Sequence, residues 1–237
     1  ALTLVSGTYG IVVMHADVPR FLVGSRLGSQ LVVGLGKEEK FLASDVGAIV
    51  SHTSDAIYMR DRELVYMTDD DFSIENIDGD AADYEVSTVD FTHEDAEKGD
   101  YPHFMLKEIY EQPETVAATL EERITDKRML DRAFGIGAPD VFARVKAVQI
   151  VACGSSYYTA LVSRYWIEQL TGLPCSVEIA SEIRYRKAAV QPDTLFVTIS
   201  QSGETADTLA ALRHAEGYLA SLCLCNVPNS TLVRESD

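Results

Sequence analysis

The stretch Leu195-Phe196-Val197-Thr198-Ile199-Ser200-Gln201-Ser202-Gly203-Glu204-Thr205 is an apolar strand, then a loop dense in hydroxyls, then a helix start. Short side chains and Gly203 let the backbone approach an anion closely, and the free N–H groups and positive dipole end of the following helix supply the attraction. It reads as a phosphate cradle. A second copy of the design lies upstream, where Val148-Gln149-Ile150-Val151-Ala152 runs into Cys153-Gly154-Ser155-Ser156 and a long helical pattern follows from Tyr157.

Between and beyond these loops strand and helix patterns alternate: strand 148–153, helix 156–171, strand 175–179, short helix 181–186, strand 194–199, helix 204–216, strand 219–225. Alternation of this kind predicts an α/β arrangement, a parallel sheet with covering helices. The near-continuous apolar runs Leu195–Ile199 and Leu219–Cys225 suit strands buried on both faces. Ligands of such sheets gather beyond the carboxyl ends of the strands, so both hydroxyl loops are expected to converge on one crevice.

The first half has a different grammar. Tyr9–His15, Arg20–Val23 and Gln30–Val33 read as strands, with Gly24, Gly28, Gly34 and Gly36 marking turns. Ala56–Arg60 and Glu63–Thr68 flank Asp61-Arg62 as an expected tight hairpin, and Phe72–Ile77 continues the meander. This predicts an antiparallel, β-rich sheet, with a short helix over 45–50 capped by Ser44 or Asp45. The acidic, polar stretch 87–101 reads as a connector. After it come a helix over 103–111, a second helix opened by Pro113 and running to about Ile124, and a third over 139–145. Three parts result: 1–95, a connector at 96–146, and 147–237.

With 237 residues and 46% hydrophobic content the chain can build real cores, and its net charge of -17 disfavours nucleic acid and anionic lipid as partners. A phosphate site must therefore be local. No apolar run reaches the roughly 18 residues of a membrane span, and no secretory signal opens the chain, so a cytoplasmic location is expected. Cys153, Cys175, Cys223 and Cys225 suit reduced, buried thiols, and Cys223-x-Cys225 reads as plain strand, its two thiols expected to be turned away from one another.

Neither hydroxyl loop is a Walker A motif or a dinucleotide fingerprint, and Ser202 lies in no Gly-x-Ser-x-Gly elbow. Cys153 reads as a small apolar residue closing the sheet rather than a nucleophile. His15, His52, His93, His103 and His214 follow no zinc spacing, and Asp69-Asp70-Asp71 reads as a solvated turn, so neither metal nor cofactor is expected. Arg184-Tyr185-Arg186-Lys187 is the one basic knot, read as exposed surface, as a subunit contact, or as a face for an acidic partner.

The segments Ala152–Tyr157, Val177–Arg186 and Ser200–Thr208 resemble the glutamine:fructose-6-phosphate aminotransferases, also called glucosamine-6-phosphate synthases. So do Lys107–Pro113, Cys225–Pro228 and Leu232–Ser236. In the first half Gly7–Gly10, Gly24–Ser29 and Ala43–Asp45 resemble the later part of a class II glutamine amidotransferase domain. The resemblance implies an incomplete amidotransferase domain over 1–95 and an incomplete sugar isomerase (SIS) domain over 147–237. Ser156, Ser200, Gln201, Ser202 and Thr205 would hold the phosphate of fructose 6-phosphate or glucosamine 6-phosphate, and Cys153, Gly154 and Ser155 would line the sugar. Ser155 stands where the family often has threonine, and Gln30 where it usually has proline. The family's glutaminase cysteine and isomerising lysine have no counterpart here, so an interior fragment without catalytic residues is expected. Glutamine would be the second substrate of the intact enzyme, and a homodimer its assembly. The alternative is a non-catalytic phosphosugar-binding sensor built on the same sheet.

Overall fold

The computed structural model describes residues 1–89, 98–121, 123–125, 128–228 and 230–237. Most of the acidic connector, including Asp90, Glu94, Asp95 and Glu97, lies outside the described residues, as does His93. The chain divides into two compact units, Ala1–Glu111 and Gln112–Asp237.

The first unit holds two antiparallel four-stranded sheets rather than one meander. One is ordered β1 (Tyr9–His15), β2 (Val18–Leu27), β6 (Glu63–Thr68), β7 (Phe72–Asn76). The other is ordered β4 (Lys40–Ala43), β3 (Val32–Leu35), β5 (Asp55–Tyr58), β8 (Ser87–Thr88). Val33 and Ile57 from the second sheet, with Met59 just past β5, meet Val65, Met67 and Ile74 from the first in one buried cluster, so the sheets face each other over a shared core.

The expected hairpin at Asp61-Arg62 does not form, because β5 and β6 belong to different sheets. The deciding contact is remote in sequence. Arg26, only 2% exposed, donates from Nε to Asp61 Oδ1 at 3.1 Å and from Nη1 to the Met59 carbonyl at 3.1 Å. Asp61 Oδ1 also accepts the Gly28 N–H at 2.8 Å, so a buried ion pair pins the crossing between the sheets. Gly24 and Gly34 likewise sit inside β2 and β3 and mark no turns. A Cβ on Gly24 would lie 2.9 Å from Val65 Cγ1 and 3.1 Å from Leu31 Cδ2; the residue is there because the layers approach closely. Asp45 caps a 3-10 turn, Val46–Ala48, by accepting the Gly47 N–H at 2.7 Å.

The two helices expected around Pro113 are one, α1 (Phe104–Leu120), with the proline inside it. Proline lacks the N–H that would reach the Ile109 carbonyl, yet good helix formers on both sides carry the helix through.

In the second unit α2 (Ala138–Phe142) precedes β9 (Ala147–Ala152), α3 (Gly154–Thr171), β10 (Cys175–Ile179) and α4 (Ala180–Ile183). Then follow β11 (Thr194–Ser200), α5 (Ala206–Arg213), β12 (Ala220–Cys225) and α6 (Thr231–Glu235). The strands form one parallel sheet ordered β10-β9-β11-β12. Alternate residues feed two cores. Val148, Ile150, Leu195 and Val197 face Ala160 and Ile167 of α3, while Val151 and Phe196 face Ile183, Leu209 and Leu232 of α4, α5 and α6. The chain leaves β9 towards one edge and β11 towards the other, so the topological switch point lies between these two strands.

Candidate functional site

Register places the two hydroxyl loops. Ala152, the last residue of β9, pairs with Ile199 of β11, and the same row includes Ile179 of β10 and Leu224 of β12. Cys153 and Ser200 therefore leave adjacent strands at the same level, at the switch point. All eight expected contact residues fall on these two loops and the helix starts behind them.

The loops differ in build. Ser200 is buried, and its Oγ accepts the Gly203 N–H at 3.0 Å and lies 3.4 Å from Thr205 Oγ1. Its hydroxyl orders the loop from within. Ser202 Oγ accepts the Glu204 N–H at 3.2 Å, and Gln201 is exposed at the tip. Thr205 is the residue before α5 but makes no side-chain cap, so the first-turn N–H groups of α5 remain available to a ligand. The Thr208 hydroxyl in that turn is buried without a hydrogen-bond partner among the described residues.

The loop is braced from behind by α6. Glu204 accepts from the Thr231 N–H at 2.8 Å and from the Thr231 hydroxyl at 2.9 Å, and the Leu232 N–H donates to the Gly203 carbonyl at 3.0 Å. Glu204 thus serves the start of α6, which keeps one carboxylate turned away from the candidate anion site. Asp207, in the first turn of α5, would repel an anion; Arg184 donates to it at 2.5 Å and offsets that charge. The basic knot is largely consumed inside the chain: Arg184 pairs with Asp207 and Arg186 with Glu178, which leaves less cationic surface for an acidic partner than the sequence suggests.

In the other loop Cys153 is the residue before α3 and makes no side-chain cap; it is half-buried and packs against the Val151–Phe196 core as an apolar side chain. Gly154 and Ser155 are exposed, and Ser156 is half-buried in the first turn. Among the described residues no side chain caps either helix start, and both lie on one side of the sheet, an arrangement suited to a phosphorylated ligand.

Sequence reasoning did not assign α6, although Ser230 before an apolar turn was a readable start signal. It also misplaced the Cys223-x-Cys225 thiols. Residues two apart on a strand share a face, so Cys223 and Cys225 project from the same side of β12. All four cysteines are free thiols. No helix among the described residues is long and apolar enough to cross a membrane.

Residues 142–237 match the SIS domain family. Over 236 residues the chain is 53% identical to a Pseudomonas aeruginosa protein named glutamine--fructose-6-phosphate aminotransferase [isomerizing], covering 98% of this chain and 38% of that one. A Haemophilus influenzae protein of the same name is 47% identical over 239 residues, covering 100% of this chain and 39% of its own length. Among solved structures, the C-terminal domain of glucosamine-fructose-6-phosphate aminotransferase from Francisella tularensis superposes with a TM-score of 0.57 at 53% identity, covering 60% of this chain and 40% of that one. The chain spans 38% to 39% of the length of these curated relatives. Residues 142–237 therefore match the SIS domain family, in a chain that is similar along its whole length to part of the glutamine--fructose-6-phosphate aminotransferases.

Proposed function

We propose that this chain is the stretch of a glutamine:fructose-6-phosphate aminotransferase that carries one phosphosugar half-site, together with part of the amidotransferase domain. The observation that carries the reading is the Ala152–Ile199 register, which sets two hydroxyl loops and two uncapped helix starts side by side at the switch point. Ser156, Gln201, Ser202 and Thr205 hold the phosphate with the first-turn N–H groups of α3 and α5, and Ser200 contributes mainly by shaping its loop. Cys153, Gly154 and Ser155 line the sugar.

In this reading these residues bind and orient fructose 6-phosphate or glucosamine 6-phosphate and perform no bond chemistry themselves. Phosphate charge is met by fixed amide and hydroxyl dipoles, which need no reorganisation when ligand arrives. The antiparallel first unit is read as the later part of a class II amidotransferase domain that works on glutamine, and the intact enzyme as a cytoplasmic homodimer. The test is calorimetric titration of fructose 6-phosphate into the protein and into a Ser202→Ala/Thr205→Ala double variant. Affinity should fall by about tenfold or more on loss of hydrogen bonds to a charged group. Unchanged affinity overturns the assignment. Phosphosugar binding by the full-length protein without glutamine-dependent amination would instead support the sensor.

A further inference from the structure

The loop read as a phosphate cradle carries a negative side chain of its own. Glu204 stands between Gly203 and Thr205, and a carboxylate at that place repels a phosphate. Both of its oxygens are committed to α6: Oε1 accepts the Thr231 N–H at 2.8 Å and Oε2 the Thr231 hydroxyl at 2.9 Å. Ser230, the residue before α6, makes no side-chain cap, so the acceptor for that helix start comes from the loop. We infer that Glu204 is a positioning residue for the phosphorylated ligand, whose hold on Thr231 keeps the Ser200–Thr205 loop in its receiving shape and outweighs the repulsion of its charge.

The bonds close a ring. Helix α5 continues directly from the loop, and Arg213 at its end donates from Nε and Nη2 to the two carboxylate oxygens of Glu235, the last residue of α6, at 2.7 and 2.6 Å. Glu204 joins the other end of α6 back to the loop. Thr231 is itself fixed: it is buried, and its Oγ1 accepts from Arg234 Nη2 at 3.0 Å while its own hydrogen goes to Glu204. Leu232 is buried with Leu209 and Leu212 of α5 and donates its N–H to the Gly203 carbonyl at 3.0 Å. Two consecutive loop residues, Gly203 and Glu204, are thus bonded to two consecutive helix residues, Leu232 and Thr231. Ser202 and Thr205, both read as phosphate contacts, flank that pinned pair. A loop ordered before binding has no ordering cost left when the ligand arrives.

Charge and restraint predict opposite signs for one substitution. Glu204→Gln removes a negative charge from the loop, and by charge alone it tightens phosphate binding. It also exchanges one of two acceptors for an NH2 group facing the Thr231 hydroxyl, whose oxygen already accepts from Arg234. The restraint then loosens, and binding weakens.

The effect on ligand rests on the phosphosugar reading; the hold on the loop does not. The experiment titrates fructose 6-phosphate calorimetrically into the protein and into its Glu204→Gln, Thr231→Val and double variants, and follows amide exchange at Gly203 and Leu232 by NMR. Glu204→Gln should raise Kd about threefold or more at unchanged stoichiometry, less than the roughly tenfold of a bond lost to the phosphate itself. Thr231→Val, which changes no loop residue, should raise Kd as well. The double variant should bind no more weakly than the weaker single one, because both remove the same link. Exchange at the two amides should quicken in all three. Tighter or unchanged binding by Glu204→Gln overturns the proposal, as does an additive loss in the double variant. So does a lowered stoichiometry at unchanged Kd, the mark of partial misfolding alone. If the unaltered protein does not bind fructose 6-phosphate, the phosphosugar reading falls, and amide exchange alone decides the role of Glu204: unchanged exchange in Glu204→Gln overturns it, and faster exchange upholds the hold on the loop.

Discussion

The two loops at the head of the parallel sheet share one grammar of strand, hydroxyl loop and helix, yet they are built on opposite principles. Around Gly203 every direction is filled: a Cβ would meet Ser230 Oγ at 2.0 Å, Ser230 Cβ at 2.5 Å and Cys225 Sγ at 2.8 Å. Around Gly154, at a similar positive φ of 57°, a Cβ would meet nothing within 4 Å. One loop is held in its working shape before any ligand arrives, and the other is open to be shaped by one. The lesson is that similar sequence signals can specify a rigid wall and a pliable wall of the same crevice.

Gly203→Ala puts this difference to its hardest test. Left-handed strain and overpacking against Ser230 act together, so a loss of more than about 3 kcal/mol is expected in urea unfolding of the chain. A loss below about 1 kcal/mol would mean that the loop can relax, and the contrast with Gly154 would collapse. Ser200→Ala comes next. It strips the buried Gly203 N–H of its acceptor, and about 1 to 3 kcal/mol should be lost in the same assay together with part of the fructose 6-phosphate affinity. Gly154→Ala meets only backbone strain, about 1 to 2 kcal/mol. Its sharper readout is calorimetry, where affinity should change less than for Ser200→Ala.

The smallest effect is kinetic. The Cys223 side chain beside it lowers the pKa of Cys225 below the ordinary thiol value, so its thiolate forms at lower pH than that of an ordinary cysteine. Its alkylation by iodoacetamide, followed peptide by peptide, should level off at lower pH than that of an ordinary thiol, which with a pKa of about 8.5 keeps gaining rate towards pH 9. A rate still climbing steeply between pH 8 and 9 would remove the thiolate from the rigid loop's support.

How much of this was legible in the sequence depended on the range of the deciding contacts. The strands of the second unit stand within about one residue of expectation and its expected helices within about three, because apolar runs and hydroxyl-rich ends are local signals. Crossing of the chain between sheets at Asp61 was not legible: its partner, Arg26, lies 35 positions away and looks like any surface arginine. Gly24 was misread for the same reason, since glycine marks either a turn or a close approach and only the facing Val65 tells which. In the site, the loops and their adjacency followed from strand order. The brace behind them did not, because Glu204 and Thr231 are 27 residues apart and Glu204 had a sufficient local explanation as a helix-start acid.

In the proposed reading that brace makes the anion site part of a lever. The Glu204 carboxylate on Thr231, and the Gly203 carbonyl under the Leu232 N–H, tie the loop to the first turn of the last helix in two places. A push or twist on that helix therefore arrives at the Ser200–Thr205 loop without passing through the sheet, and a ligand seated on the proposed phosphate cradle must in turn stiffen the helix.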